Sequence, residues 1–194
     1  MKRLTLSAAA LTALALTMTA PSAQSADYVI DTKGAHAFIQ FRVQHLGYSW
    51  LYGRFNTFGG TFSYDDANPK ASKINVTIDT ASVDSNHAER DKHLRGADFL
   101  AVDQFPKASF VSTGVNVLAD GRATVSGDFT FHGVTKAITL DVQKMGEGQD
   151  PWGGYRAGFE GSTTITMADY GMTYDLGPAS TQAEIILTLE GVRK

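Results

Sequence analysis

From residue 26 onward, apolar side chains recur mostly at every second position, the period of a strand with one face on a core and the other in solvent. Ala35, Ala37, Ile39, Phe41 and Val43 share one face, while His36, Phe38, Gln40 and Arg42 share the other. Phe62 and Tyr64 alternate with Thr61, Ser63 and Asp65, and Ile74, Val76 and Ile78 with Lys73, Asn75, Thr77 and Asp79. The same period carries Ala123, Val125, Phe129 and Phe131, then Ile138, Leu140 and Val142. It continues through Tyr155, Ala157, Phe159, Ile165 and Met167, and ends with Ile185, Leu187 and Leu189. With short strands near 27–31 and 108–113, the pattern predicts eight or nine strands, mostly antiparallel. Asn68-Pro69, Asp120-Gly121 and His132-Gly133 mark turns between them.

One stretch departs from this period. Asn86-His87-Ala88-Glu89 reads as a capping box with Asn86 as N-cap, and Ala88 to Ala97 is rich in helix formers. A short surface helix ending near Gly96 is predicted. With no linker or repeat, residues 26–194 read as one domain. Strands with one apolar face bury it between two sheets or inside a closed barrel, and the pattern alone leaves both open, a filled core included.

Residues 1–25 do not share this pattern. Lys2 and Arg3 precede an apolar run from Leu4 to Ala20, and Ala23 and Ser25 supply small residues before a cut at Ala26. This reads as a signal peptide, and the mature chain is expected in the periplasm. The whole chain carries a net charge of −3, and residues 1–25 contain no acid, so the remainder is more acidic still. That balance disfavours nucleic acid as a partner, because phosphate binding needs clustered Lys and Arg. The absence of Cys removes disulfides, thiolate metal sites and Cys nucleophiles.

His36, His45, His87, His93 and His132 show no metal-ligand spacing, and Gly47-Tyr48-Ser49-Trp50-Leu51 lacks the closing Gly of a nucleophile elbow. No catalytic residue, metal or cofactor is expected. Glu89, Arg90, Asp91, Lys92 and Arg95 read as a solvated face of mixed sign. Gly47 to Gly53 reads as a loop carrying Tyr48, Trp50 and Tyr52, and Trp152 sits among Pro151, Gly153 and Gly154 in a second loop. Both loops fit lids over a barrel end, or contacts to a lipid head group or a membrane surface.

Several stretches are specific in combination: His36 to Ser49, Gly53-Arg54-Phe55, Thr80 to Asp84, Arg90 to Arg95, Asp98-Phe99-Leu100, Phe105-Pro106 and Gly133 to Lys136. Together they resemble the YceI-like family of exported bacterial polyisoprenoid-binding proteins, in order along essentially the whole mature chain. Asp150 to Phe159 and Asp175 to Ser180 resemble its proteobacterial periplasmic branch. The resemblance implies an all-β fold, an eight-stranded antiparallel lipocalin-like barrel with one short surface helix. It also implies a tunnel that holds an isoprenoid lipid or quinone, and it brings no catalytic motif.

An isoprenoid tail has nothing to hydrogen-bond, so its site needs a dry aliphatic and aromatic wall. The inward faces offer Ile39, Phe41, Val43, Phe62, Val76, Ile78, Phe129, Phe131, Leu140 and Phe159, with Tyr48, Trp50 and Trp152 at the mouth. The expected function is sequestration or transport of that lipid, with a role in stress response and transient contact with a membrane or a membrane redox protein. Two rival readings are an enzyme acting on a small apolar substrate in the same barrel and a ligand-free stress-protective protein with a filled core.

Overall fold

The alternating segments form strands, and their turn chemistry sets how they pair. The structure is a computed structural model that describes residues 25–194. The signal-peptide reading of residues 1–25 therefore lies, apart from Ser25, outside the described residues. In chain order the elements are β1 (Ala26–Ile30), β2 (Phe38–His45), β3 (Ser49–Phe55), β4 (Phe58–Tyr64), β5 (Lys73–Asp79) and β6 (Val83–Asp84). These are followed by α1 (Ala88–Arg95), β7 (Lys107–Val117), β8 (Ala123–Phe131), β9 (Val134–Gln149), β10 (Tyr155–Thr166) and β11 (Gln182–Arg193).

Eight strands close a ring in the order β1-β4-β5-β7-β8-β9-β10-β11, with β11 returning to β1, and every neighbouring pair is antiparallel. This is the eight-stranded lipocalin-like barrel. The β8–β9 hairpin shows how local chemistry fixes register. His132 (φ 49°) and Gly133 (φ 73°) both take positive φ, as a two-residue type I′ turn requires, and Phe131 pairs with Val134 across them.

The other three strands form a branch. One edge of β11 is divided between two partners: Ala183 to Thr188 pair with β2, and Gly191 to Arg193 pair with β1. From β2 the branch continues through β3 to the two-residue β6. Residues 49–53, expected as part of a loop, thus belong to a strand. Its outward positions carry Trp50 and Tyr52 instead of polar residues and its inward Gly53 has no side chain, so the alternation is masked.

The helix is where expected, but its cap is not. Asn86 sits at φ 61°, in the left-handed region, and His87 is the N-cap, its Nδ1 accepting from the Arg90 N–H at 3.2 Å. The charged cluster on the helix is also less solvated than its composition implied. Asp91 is buried and accepts from the Ser85 N–H at 2.7 Å, while Arg90 donates to the Ser85 hydroxyl (2.7 Å) and carbonyl (2.6 Å). Arg95 donates to the carbonyls of Ala81 (2.8 Å) and Val83 (2.6 Å). Three of the five charges therefore fasten α1 to the β6 segment, because the turn there leaves backbone groups that no strand satisfies.

Candidate functional site

One cavity of about 1020 Å³ occupies the barrel. Ile39, Phe41 and Val43 of β2 lie on its wall, with Phe62 of β4, Val76 and Ile78 of β5, Phe129 and Phe131 of β8, Leu140 of β9 and Phe159 of β10. Phe110, Ile138, Ile165, Ile185 and Leu187 extend this wall around the ring, and Leu51 and Phe55 add the β3 side. Alternation did not reach Leu94, Phe99 and Leu100, which bring α1 and the segment after it onto the wall. That segment has no strand period to read, although the adjacent apolar pair Phe99-Leu100 is buried.

An eight-stranded barrel can be filled by side chains or hold one slender ligand, and local packing decides which. Here glycines face phenylalanines. A Cβ on Gly53 would collide with the Phe41 ring, one on Gly127 with the Phe110 ring, and one on Gly191 with the Phe62 ring. Each ring therefore occupies space that a glycine leaves empty, on the adjacent strand for Phe41 and Phe110 and across β1 for Phe62. Phe62 is further held by stacking on Tyr28 (centroids 4.8 Å apart, planes within 8°) and by the edge of Phe159 at 5.5 Å.

Tyr48, Trp50 and Trp152 are not on the cavity wall. Tyr48 stands at the tip of the β2–β3 hairpin, 88% exposed. Trp50 lies on the outer face of β3 because the inner positions go to Leu51 and Gly53, and the Arg42 guanidinium covers its ring at 4.3 Å. Trp152 is exposed in the β9–β10 turn, with Arg156 at 5.5 Å from its ring. Near the β2–β3 turn, His45, Leu46, Tyr174 and Leu176 are on the wall.

The wall is mainly apolar, with polar residues such as Gln40, Gln44 and Thr163 on it and two groups of charged or ring-stacked side chains. At the end bounded by α1 and the β2–β3 turn are Arg90, already bonded to Ser85, and His93, whose ring meets Phe99 (4.9 Å) and Tyr174 (5.5 Å) edge to face. At the other end Lys144 contacts Asp66 at 2.6 Å and lies 5.0 Å from the centre of the Tyr64 ring. Burial is the largest single influence on Lys144 and pulls its pKa down. Asp66 and Tyr64 together outweigh it and hold the ammonium above its ordinary range.

The nearest approach to a metal-ligand set among the described residues is Asp31, His36 and Glu190, with donor atoms within 4.8 Å of one another. It lies off the cavity wall. Arg156 sits between its carboxylates, 2.6 Å from Asp31 and 2.5 Å from Glu190, with a third contact to Asp150 at 2.7 Å. The negative charge that would draw a cation is already matched by a guanidinium.

A family model for the YceI-like domain matches residues 28–192. A curated relative, a UPF0312 protein of Ectopseudomonas mendocina, is 57% identical over 172 residues, covering 89% of this chain and 90% of its own. Among solved structures, BcnA of Burkholderia cenocepacia superposes with a TM-score of 0.73 at 21% identity, covering 83% of this chain and 98% of BcnA. A polyisoprenoid-binding domain from Saccharophagus degradans, implicated in plant cell wall breakdown, superposes at 0.62 with 18% identity, covering 88% and 100%.

Proposed function

This chain belongs to the YceI-like family, and we propose that it is a periplasmic binding protein that holds a long isoprenoid lipid, of quinone or polyprenyl type, in its barrel for sequestration or transport. The observation that carries this reading is the open apolar cavity of about 1020 Å³ in a barrel small enough to be filled. At about 24 cal/mol per Å³, an empty apolar void of 1020 Å³ would nominally cost ~24 kcal/mol, more than the roughly 5–15 kcal/mol by which a typical domain is stable. Water entering at the ends lowers that figure but leaves the wall hydrated, so an apolar occupant is favoured. The ligand named for the Saccharophagus neighbour is of the same class.

Binding arithmetic also fits release. At ~0.8 kcal/mol per buried methylene, a tail of about forty carbons nominally gains ~30 kcal/mol, beyond the observed ceiling of roughly 18–21 kcal/mol. Tail ordering and the alternative of lying in a bilayer reduce the net, which permits exchange with membranes.

A catalytic reading has less support, because the two basic chains on the wall, Arg90 and Lys144, are committed to Ser85 and Asp66 and most of the wall is apolar. Mass spectrometry of protein purified from its native periplasm tests the proposal. An organic extract should contain a polyprenyl species in near-stoichiometric amount, and the intact mass should begin at Ala26. A soluble species retaining residues 1–25, or an extract free of isoprenoid, would sink it.

A further inference from the structure

We propose that the β2–β3 hairpin is a docking element that seats one end of the barrel on the surface of a phospholipid bilayer. Ten large hydrophobic side chains are exposed among the described residues, and four of them fall within seven consecutive positions: Leu46 (57%), Tyr48 (88%), Trp50 (44%) and Tyr52 (53%). Such clustering marks an interaction site, whereas single exposed apolar residues do not.

The hairpin presents an apolar inner side, which lines the cavity through Phe41, Val43 and Leu51, and an outer side on which the Trp50 and Tyr52 rings stand beside the Glu184-paired Arg42. Leu46, at the turn, belongs to both: it lines the cavity and is more than half exposed. The outer patch is therefore continuous with the cavity mouth. The turn is also held in place. The Tyr48 N–H donates to the His45 carbonyl at 3.0 Å, and the Ser180 hydroxyl donates to the Gln44 carbonyl at 2.5 Å.

The chemistry of the patch selects the occupant. Trp and Tyr favour the bilayer interface because their rings are apolar with one polar edge. No Asp or Glu occurs between Asp31 and Asp65, so the hairpin carries no carboxylate of its own to oppose lipid phosphates. Its arginines are matched by neighbours, Arg42 by Glu184 at 2.6 Å and Arg54 by Asp84 at 3.2 Å. A patch without net charge docks by inserting apolar and aromatic groups, so binding should resist salt. A bilayer also suits the geometry, since an apolar cargo leaving at Leu46 would pass into hydrocarbon without crossing water. The inference concerns the surface and holds for any apolar cargo.

The chain has two tryptophans, Trp50 on the hairpin and Trp152 on the β9–β10 turn, and this makes the test direct. Trp152→Phe leaves only Trp50 as fluorophore, and Trp50→Phe leaves only Trp152. Each variant is titrated with vesicles of phosphatidylcholine and with vesicles of phosphatidylcholine and phosphatidylglycerol. The Trp50 emission should shift to the blue with both compositions and be quenched by brominated acyl chains. The shift should persist in molar salt, where screening acts within ~3 Å. Trp152 should not respond. Replacing Leu46 and Tyr48 together with Ser should weaken partitioning about tenfold or more, with the melting temperature unchanged. A response from Trp152 alone, a response abolished by salt, or none from either would overturn the proposal. So would a concentration-dependent dimer that buries Trp50 without vesicles, which would assign the face to a second copy.

Discussion

The Phe41 ring fills the space beside its cross-strand partner Gly53 that a Cβ there would need. The pairing lets a large aromatic side chain line a narrow barrel without closing it. A methyl group at position 53 should force the ring off the wall and into the lumen. Gly53→Ala should therefore lower extractable lipid per protein, with a stability cost of about 1–3 kcal/mol typical of overpacking. Gly59→Ala, where an added Cβ meets nothing within 4 Å, should change neither quantity.

Val76 and Phe129 separate an occupied lumen from a packed core. Val76→Ala and Phe129→Leu should both reduce lipid occupancy while the protein stays folded, and Thr77→Ser, on the exposed face of β5, should leave occupancy alone. In a filled core the same two truncations would cost roughly 1–4 kcal/mol and leave no ligand effect to see. Lipid content and melting temperature, measured together, decide between them. Unchanged lipid with a large melting drop for both variants would defeat the tunnel.

Acid should act through Asp31. The Arg156 guanidinium, then the Gly34 N–H and His36, hold its carboxyl down from an ordinary 3.8 to about 2. A depressed folded-state pKa means that its contribution to stability is complete above about 4 and is lost as pH falls toward 2. Asp31→Asn should therefore be less stable than the parent at neutral pH, and the difference should shrink across that window. Urea midpoints at a series of pH values measure it, and a difference independent of pH would remove Asp31 from the account.

Asp91 should matter more than its place in a charged helix implies. Asp91→Ala leaves the buried Ser85 N–H without its acceptor, at a cost of about 1–3 kcal/mol. Because Leu94 of α1 and Phe99 and Leu100 of the segment after it line the cavity, loosening α1 should also speed lipid loss. Hydrogen exchange over residues 85–100 should rise in step with the lipid off-rate. Asp91→Asn, which keeps a carbonyl acceptor, should do less of both.

Much of this arrangement was legible in the sequence where side-chain chemistry and period agree. Val76, Ile78, Phe129 and Leu140 alternate with polar partners, and each lies on the cavity wall. Agreement failed where the outward position was aromatic or the inward one was glycine, which hid β3 and misplaced Trp50. It failed again at α1, where Arg90, Asp91 and Arg95 look like surface charges but satisfy backbone groups of a segment distant from any strand period. Nor does any local signal pair Gly127 with Phe110 or Gly191 with Phe62, since those contacts exist only once the strands are in register.

The divided edge of β11 has a kinetic consequence. Its 12 residues follow every other strand among the described residues, yet they join β10, β1 and β2, so the ring has a gap until β11 is in place. β1 must wait for a partner more than 160 positions later, a loop closure of the kind that makes β-barrels slow to form. Until then the wall residues face an open trough in which no ligand is enclosed. A truncation that removes only β11 should yield an aggregation-prone protein, with the edges of β10 and β1 left unpaired.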